Sequence, residues 1–337
     1  MRRVRLRDIA EVLNVSESTV SRALNNRPGV NNEMRERIFR VAQELNYPFH
    51  PVNPGAGPRR RIGLVFPDIS NTYFATVSYG IASVLGPDGA LSFVVGTDED
   101  AESEAQYVRA LIEQGVDGMI AAPAAGSGQV YQEALAAGVP LVFVDRRHRH
   151  LPVPSVTLDN RDAIFQAVRR LHELGHRRVA LIAGDPEIYT GYEREQGFRE
   201  AIDLLGLRPE DCPIAYGQFR VPTAYQAARD TILSRRVTAI IATSNKTTVG
   251  VLKAIKELGL RTPDDVSVIG FDDQEWTAVF EPPLSVVSQP AFTMGVLAAN
   301  LLLQRIQGSP RQESVVLKAE ILWRESVAEV STRGAEG

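Results

Sequence analysis

Three sets of residues in this chain of 337 carry chemistry by their type and spacing. The first lies within Val4 to Asn25, VRLRDIAEVLNVSESTVSRALN. If Val20, Ala23 and Leu24 turn inward on a helix, then Glu17, Ser18, Ser21, Arg22 and Asn25 are left outside. An α-helix fits the major groove of DNA, and its early residues reach base edges. Arg22 can pair bidentately with guanine or clamp a phosphate, Glu17 can accept from cytosine N4, and Ser18 can bond several bases. The second set is a pair of carboxylates: Asp145 closes GVPLVFVD (138–145) and Asp272 closes DVSVIGFD (265–272). Both end buried-type strands at matching places in two halves of the chain, where open α/β sheets bind ligands. Strand-end capping or an inter-lobe ion pair is the alternative role for each. The third is His172-Glu173-Leu174-Gly175-His176, which matches the HExxH zinc signature. Zinc chemistry needs both histidines on one helical face. Gly175, followed by His176-Arg177-Arg178 and a strand, reads instead as a helix C-terminus with glycine at the cap, so no metal site is expected.

The elements that must position these residues follow from periodicity. Leu6, Ile9, Ala10 and Leu13 recur at helical spacing, Asn14 and Val15 break that helix, and Ser16 is a good N-cap for the next. Two short helices joined by a tight turn describe a helix-turn-helix. Asn31 caps a third helix, on which Met34, Ile38, Val41 and Leu45 share a face. The stretch 48–61, PFHPVNPGAGPRRR, has four prolines and no apolar period, and reads as a linker. From Ile62, short apolar runs alternate with amphipathic helices: IGLVF (62–66), LSFVVG (91–96), GMIAA (118–122), PLVFV (140–144), RVALIAG (178–184), TAIIAT (238–243) and VSVIGF (266–271). Such alternation implies βαβ units and parallel sheets with helices on both faces.

Charge is divided unevenly. Residues 1–61 hold twelve Arg against six Asp and Glu, or +6, so the remainder carries −10 of the net −4. A basic head on an acidic body is the asymmetry expected when only the head meets nucleic acid. The single Cys212 excludes an internal disulfide and a Cys-rich zinc cluster, and fits a reducing cytoplasm. There is no opening apolar h-region and no apolar run of spanning length, so a soluble, non-exported protein without a membrane partner is expected. No GxGxxG, Walker A or GxSxG stands at a strand–helix junction, and no nucleophile–base pair is evident. Neither an enzyme, a catalytic residue nor a cofactor is expected.

The stretch L-x-D-I-A-x-x-x-x-V-S-x-x-T-V-S-R-x-L-N, from Leu6 to Asn25, resembles the DNA-binding head of the LacI/GalR family of bacterial transcriptional regulators, and later landmarks extend the resemblance almost to the C-terminus. It implies an all-α helix-turn-helix head plus an α/β, two-lobed, periplasmic-binding-protein-like (type I) effector domain with parallel sheets and the effector between the lobes. The expected domains are 1–47 (head), 48–61 (linker) and 62–330 (effector binding and dimerisation), with a disordered tail at 331–337. Lobe 1 covers about 62–158 and 289–319, lobe 2 about 159–287 and 320–330. The resemblance places operator preference on Glu17 and Ser18, with Arg22 as the shared reader. Ser16, Thr19, Ser21, Asn25 and Asn31 then position phosphates, capping being the alternative for Ser16 and Asn31, and Tyr47 joins the DNA-contacting set. For the effector it implies Asn71, Tyr73 and Phe74 in DISNTYF (68–74), Asp145, Arg194 in YEREQGF, Asn245 after IIATS, Asp272 in GFDD and Gln289 in SQP. Phe219 or Trp276 would cover an apolar sugar face, with core packing the alternative for every aromatic. Carboxylates, an Arg fork and amides suit vicinal hydroxyls, so the expected effector is a sugar, sugar phosphate or nucleoside.

The linker departs from the family. Relatives usually carry an Asn-x-x-Ala-Arg-x-Leu run there, which folds into a hinge helix on DNA; here His50 stands at the Asn position and Ala56 near the Leu. Pro54 inside such a helix costs roughly 3 kcal/mol and Gly55 about 1 more, so no hinge helix is expected, and Arg59, Arg60 and Arg61 would touch backbone phosphates instead. Lys246 stands where relatives commonly show Asp: a cation for an acidic effector or, preferably, a solvated helix-start residue. The expectation is a ligand-responsive transcriptional regulator, a repressor, binding a pseudo-palindromic double-stranded operator as a homodimer. It would be cytoplasmic and nucleoid-associated when on DNA. The alternative is an extracytoplasmic sugar-binding protein of a transport system.

Overall fold

A computed structural model of the chain describes residues 5–24, 29–45, 60–235, 237–309 and 313–330. Asn25, Tyr47, most of the linker with its hinge positions His50, Pro54, Gly55, Ala56 and Arg59, and the tail 331–337 lie outside the described residues.

Among the described residues the head has three helices, α1 (Leu6–Leu13), α2 (Glu17–Leu24) and α3 (Asn32–Glu44). Asn14 ends α1 in the left-handed region, φ 52°, a conformation Asn tolerates. The Ser16 hydroxyl accepts from the Thr19 amide at 3.1 Å, which the Ser16 carbonyl also accepts at 2.9 Å, and the Asn31 side chain accepts from the Met34 amide at 2.8 Å, so each caps the start of its helix. Ile9, Ala10, Val20, Ala23, Ile38, Val41 and Ala42 form the buried head core, with Leu6, Leu13, Leu24, Met34 and Leu45 packed on its margin.

The body contains two six-stranded sheets built on one plan. The first comprises β1 (Arg61–Phe66), β2 (Leu91–Gly96), β3 (Gly118–Ala121), β4 (Leu141–Asp145), β5 (Ser155–Leu158) and β11 (Val315–Leu317), ordered β11-β5-β4-β3-β1-β2. The second comprises β6 (Val179–Ala183), β7 (Ile214–Tyr216), β8 (Ala239–Ala242), β9 (Ser267–Phe271), β10 (Ser285–Ser288) and β12 (Glu320–Leu322), ordered β12-β10-β9-β8-β6-β7. β1 to β5 pair in parallel, as do β6 to β10, and β12 runs antiparallel to β10. Each parallel set has the doubly wound order 2-1-3-4-5, whose switch point lies between its first and third strands. The matching places of GVPLVFVD and DVSVIGFD in the two halves thus correspond to a repeated topology.

The helices between the strands are α4 (Thr72–Leu85), α5 (Ala101–Glu113) and α6 (Gly128–Ala136) in the first half, and α7 (Asn160–Glu173), α8 (Tyr189–Leu204), α9 (Val221–Arg235), α10 (Asn245–Glu257) and α11 (Glu275–Val279) in the second. The last, α12 (Ala291–Ile306), returns to pack on α4. Alternate residues of a strand enter opposite cores: Ile62, Leu64 and Phe66 of β1 join the cluster with α4 and α12, while Val65 joins the one with α5 and α6. A strand covered on both faces must be apolar throughout, which is why these strands read as continuous runs. The α4–α12 approach needs glycine: a Cβ on Gly295 would fall 2.1 Å from the Val77 carbonyl oxygen, and one on Gly80 2.2 Å from that of Phe292.

By compactness the chain forms two units, Met1–Thr157 with Pro290–Leu317, and Leu158–Gln289 with Lys318–Gly337. In the first, the Asn300 amide on α12 donates to the Leu24 carbonyl at the end of α2, 3.0 Å, and Phe39 of α3 is buried with the α4–α12 core. Among the described residues no helix is long and apolar enough to cross a membrane.

Candidate functional site

On α2, Glu17, Ser18 and Arg22 are exposed and Ser21 is half-buried, while Val20 and Ala23 are buried. The outward face expected from periodicity therefore exists. The Arg22 Nε donates to the Ser18 carbonyl at 3.2 Å, which lays the side chain along the helix. The Ser16 hydroxyl lies 2.8 Å from those of both Ser18 and Thr19, so its oxygen serves the start of α2 as well as being exposed. Arg61, grouped with the linker by sequence, is the first residue of β1, and its guanidinium donates to the Gln114 carbonyl at 2.7 Å. Its side chain is thereby tied to the end of α5.

The effector candidates fall at the carboxyl ends of the parallel strands or in the loops and helices that follow them, one edge in each sheet. In the first unit, Asn71 caps α4 by accepting from the Tyr73 amide at 3.0 Å. The buried Tyr73 hydroxyl donates to Asp145 Oδ1 at 3.0 Å and lies 3.2 Å from the Met294 sulfur of α12. Phe74 is buried and stacks on Phe66 with centroids 5.2 Å apart. Asp145 is the last residue of β4 and takes a left-handed backbone, φ 68°.

Next to it, Arg146 is 4% exposed. Its two terminal nitrogens each donate to Glu99 at 2.7 Å, and its Nε donates to Asp145 Oδ2 at 3.2 Å. Burial alone would lower the guanidinium pKa; the charges of Glu99, Asp145 and Glu104 outweigh it and hold the group above its ordinary value. Glu104, fully buried, accepts from the Ala124 amide at 3.1 and 3.2 Å, and burial raises its carboxyl above the usual range. Neither Arg146, Glu99 nor Glu104 was singled out from the sequence. The only signal was the Asp-Arg pair closing β4.

In the second unit, Asp272 follows β9 with φ 68°, the same backbone state as Asp145. Its Oδ1 accepts from the Gln289 side-chain amide at 2.7 Å, and its Oδ2 lies 3.4 Å from the Asn245 amide at the start of α10. Gln289 Oε1 is buried with no hydrogen-bond partner among the described residues. Arg194, on α8 and 3% exposed, donates from Nε to Asn160 Oδ1 at 2.7 Å and from a terminal nitrogen to the Thr243 carbonyl, with its guanidinium 3.8 Å over the Phe271 ring. Asn160 was missed by sequence reasoning; it opens α7, where its amide also donates to the Leu158 carbonyl at 3.2 Å. Phe219 is half-buried at φ 55°, and a Cβ on Gly184 would fall 2.0 Å from its ring. Half-buried Trp276 packs against the second core and meets Phe280 edge-on at 6.3 Å. Lys246 is the half-buried second residue of α10.

The HExxH stretch is a helix end. Gly175 takes φ 88° after α7, and the two ring nitrogens of buried His176 lie 2.8 Å from the Thr238 hydroxyl and 3.0 Å from the Ala328 carbonyl oxygen. Burial lowers the His176 pKa, in keeping with a neutral ring serving the fold. A surface cavity of about 580 Å³, floored by Phe198, Ile202, Leu207 and Ile214, is lined by none of the candidate residues.

Residues 5–49 match the family described as bacterial regulatory proteins, lacI family, and residues 168–327 match a periplasmic binding protein-like domain. The chain is 33% identical over 333 residues to the HTH-type transcriptional regulator MalR of Streptomyces coelicolor, covering 96% of each. A structure of the regulator CelR in complex with cellobiose aligns at TM-score 0.71 and 30% identity over 96% of this chain and all of that one. A lac repressor dimer bound to operator and an anti-inducer aligns at TM-score 0.72 and 25% identity over 97% of this chain and all of that one.

Proposed function

This chain belongs to the lacI family of bacterial transcriptional regulators, and on that premise we propose that it is a repressor that binds a pseudo-palindromic operator as a homodimer and answers to a carbohydrate. The observation that carries the effector reading is the matched pair Asp145 and Asp272. Both are buried carboxylates at φ 68°, each at the carboxyl end of the fourth strand of its own doubly wound sheet. Carboxylate oxygens accept from vicinal hydroxyls in pairs, and Tyr73, Arg194, Asn245 and Gln289 supply further hydrogen-bonding groups at the same sheet edges. Phe219 offers a ring for an apolar sugar face. The structure of CelR with cellobiose supports a carbohydrate for this arrangement.

Operator reading falls to Glu17, Ser18 and Arg22, with Ser16, Thr19, Ser21, Asn25, Asn31 and Tyr47 on the phosphates. The lac repressor dimer on its operator supports a two-fold complex with two half-sites. Dimer formation is supported by β2, an edge strand on which Leu91, Phe93 and Val94 are 46%, 41% and 48% exposed. A long apolar edge is a pairing template that a second copy of the chain would cover. The test is operator selection from random duplexes by the full chain, followed by anisotropy titration at stated salt, with and without a panel of pentoses, hexoses and disaccharides. A two-fold symmetric site whose affinity changes with one sugar is expected. Sequence-blind binding indifferent to every sugar would overturn the proposal.

A further inference from the structure

Three non-glycine residues near Arg146 hold left-handed backbones: Asp98 at φ 56°, Glu99 at φ 64° and Asp145 at φ 68°. Each costs of order 1 kcal/mol and persists only where surrounding structure holds it. Asp98 and Glu99 form the turn after β2, Asp145 ends β4, and the contacts of Arg146 join the two. We propose that Glu99 and Arg146 are positioning residues for the effector carboxylate of Asp145: Glu99 occupies the guanidinium fork so that Arg146 holds Asp145 by one oxygen only. This rests on the reading of Asp145 as an effector residue.

The geometry supplies the reason. A guanidinium beside a carboxylate prefers a two-bond fork. Here that fork is given to Glu99, at 2.7 Å from both terminal nitrogens, leaving Nε at 3.2 Å from Asp145 Oδ2. Tyr73 takes Oδ1 from the other side at 3.0 Å. The carboxylate is thus fixed through one donor per oxygen, and of its roughly four lone-pair directions two remain for ligand hydroxyls. Without Glu99, Arg146 would turn its fork onto Asp145, draw Oδ1 from Tyr73 and occupy the directions a ligand needs. Arg146 stands beside an effector residue in sequence, yet at 4% exposure its fork is spent inside the fold.

The test compares Glu99→Gln, Tyr73→Phe and their double variant with the full-length wild type. Binding is followed by calorimetry against a panel of aldopentoses, aldohexoses and disaccharides, ribose and cellobiose among them, and folding by thermal melting. Glu99→Gln is expected to weaken the sugar at least tenfold while the melting temperature moves by only a few degrees. The double variant should lose less than the product of the single losses, because both brace one carboxylate. In the ligand-free protein, amide hydrogen exchange should rise at least tenfold in 97–100 and 145–147 and nowhere else. If Glu99→Gln does not fold, Arg146→Lys tests the same point, since an ammonium lacks the planar fork that engages both Glu99 oxygens while Nε holds Asp145. Sugar affinity within twofold of wild type in Glu99→Gln, with binding lost in Asp145→Asn, overturns the brace and leaves the effector site standing. Exchange unchanged in both segments also overturns it. A wild type that binds no sugar of the panel overturns the carbohydrate reading and the brace with it.

Discussion

Replacing Arg194 by Lys keeps a buried cation but removes the geometry that holds it. The guanidinium reaches two acceptors on different elements, Asn160 Oδ1 on α7 at 2.7 Å and the carbonyl of Thr243 after β8, and lies 3.8 Å over the Phe271 ring. An ammonium at the end of a shorter stem lacks the spread between Nε and a terminal nitrogen, and so cannot hold both acceptors in this geometry. Losing a hydrogen bond to a charged group costs about 1.5–3 kcal/mol, and the lost stacking adds about 0.5–1 kcal/mol, so Arg194→Lys should destabilise by about 2–4 kcal/mol. At about 2–4 °C per kcal/mol for a domain of this size, melting should fall by roughly 5–15 °C. Arg194→Met strands both acceptors but also relieves the desolvation of a buried cation, so its cost should be no larger. The two tryptophans, Trp276 and Trp323, both lie in the second unit. Urea unfolding followed by tryptophan fluorescence therefore reports the half of the body that contains Arg194. A Lys variant with wild-type midpoint and slope would show that the fork does not hold α8 to α7 and β8, and would refute the reasoning.

Other outcomes are expected on the same physical grounds. Arg22→Ala should cost about 1–3 kcal/mol of specific DNA binding and relax preference at one base, read by anisotropy titration at constant salt; unchanged affinity and preference would discard its assignment. Burial raises the Glu104 carboxyl, so the folded chain holds that proton more tightly than the unfolded one. Its contribution is then full below the ordinary carboxylate range, and is lost as pH rises through the raised value. Glu104→Gln should flatten this fall in stability, and an unchanged slope of urea midpoint against pH in the variant would contradict it. Phe93→Asp should weaken self-association at the β2 edge by roughly 2 kcal/mol, seen as dissociation in sedimentation at micromolar protein, whereas an unaltered dimer would place the interface elsewhere.

What the sequence determined by itself was local. The helices of the head are legible because side chains three and four residues apart share a face, and Ser16 and Asn31 announce their caps by residue type. The strands from IGLVF to VSVIGF are legible because burial on both faces demands unbroken apolar runs. Asp145 and Asp272 stood out because a charge ending such a run is conspicuous. Shorter strands escaped: β5, β7, β10, β11 and β12 have three or four residues each. Several are half-buried or include buried polar residues such as Ser155, Thr157 and Ser285, so no run of useful length marks them.

What only the tertiary structure decided was which side chains meet. Parallel strands in the order 2-1-3-4-5 bring every carboxyl end to one edge, and the switch between β1 and β3 sets the ends of β2 and β4 on either side of it. That topology, and not spacing along the chain, carries Glu99 to Arg146 across 47 positions and Tyr73 to Asp145 across 72. It likewise brings Asn160 to Arg194. Packing then sets what each ring touches. Phe74 stacks on Phe66 inside the first core, and half-buried Trp276 packs on the second and meets Phe280. Arg146 is spent inside the fold because Glu99 takes its fork. A side chain's type sets what it can bond, and its neighbours in space set what it does bond.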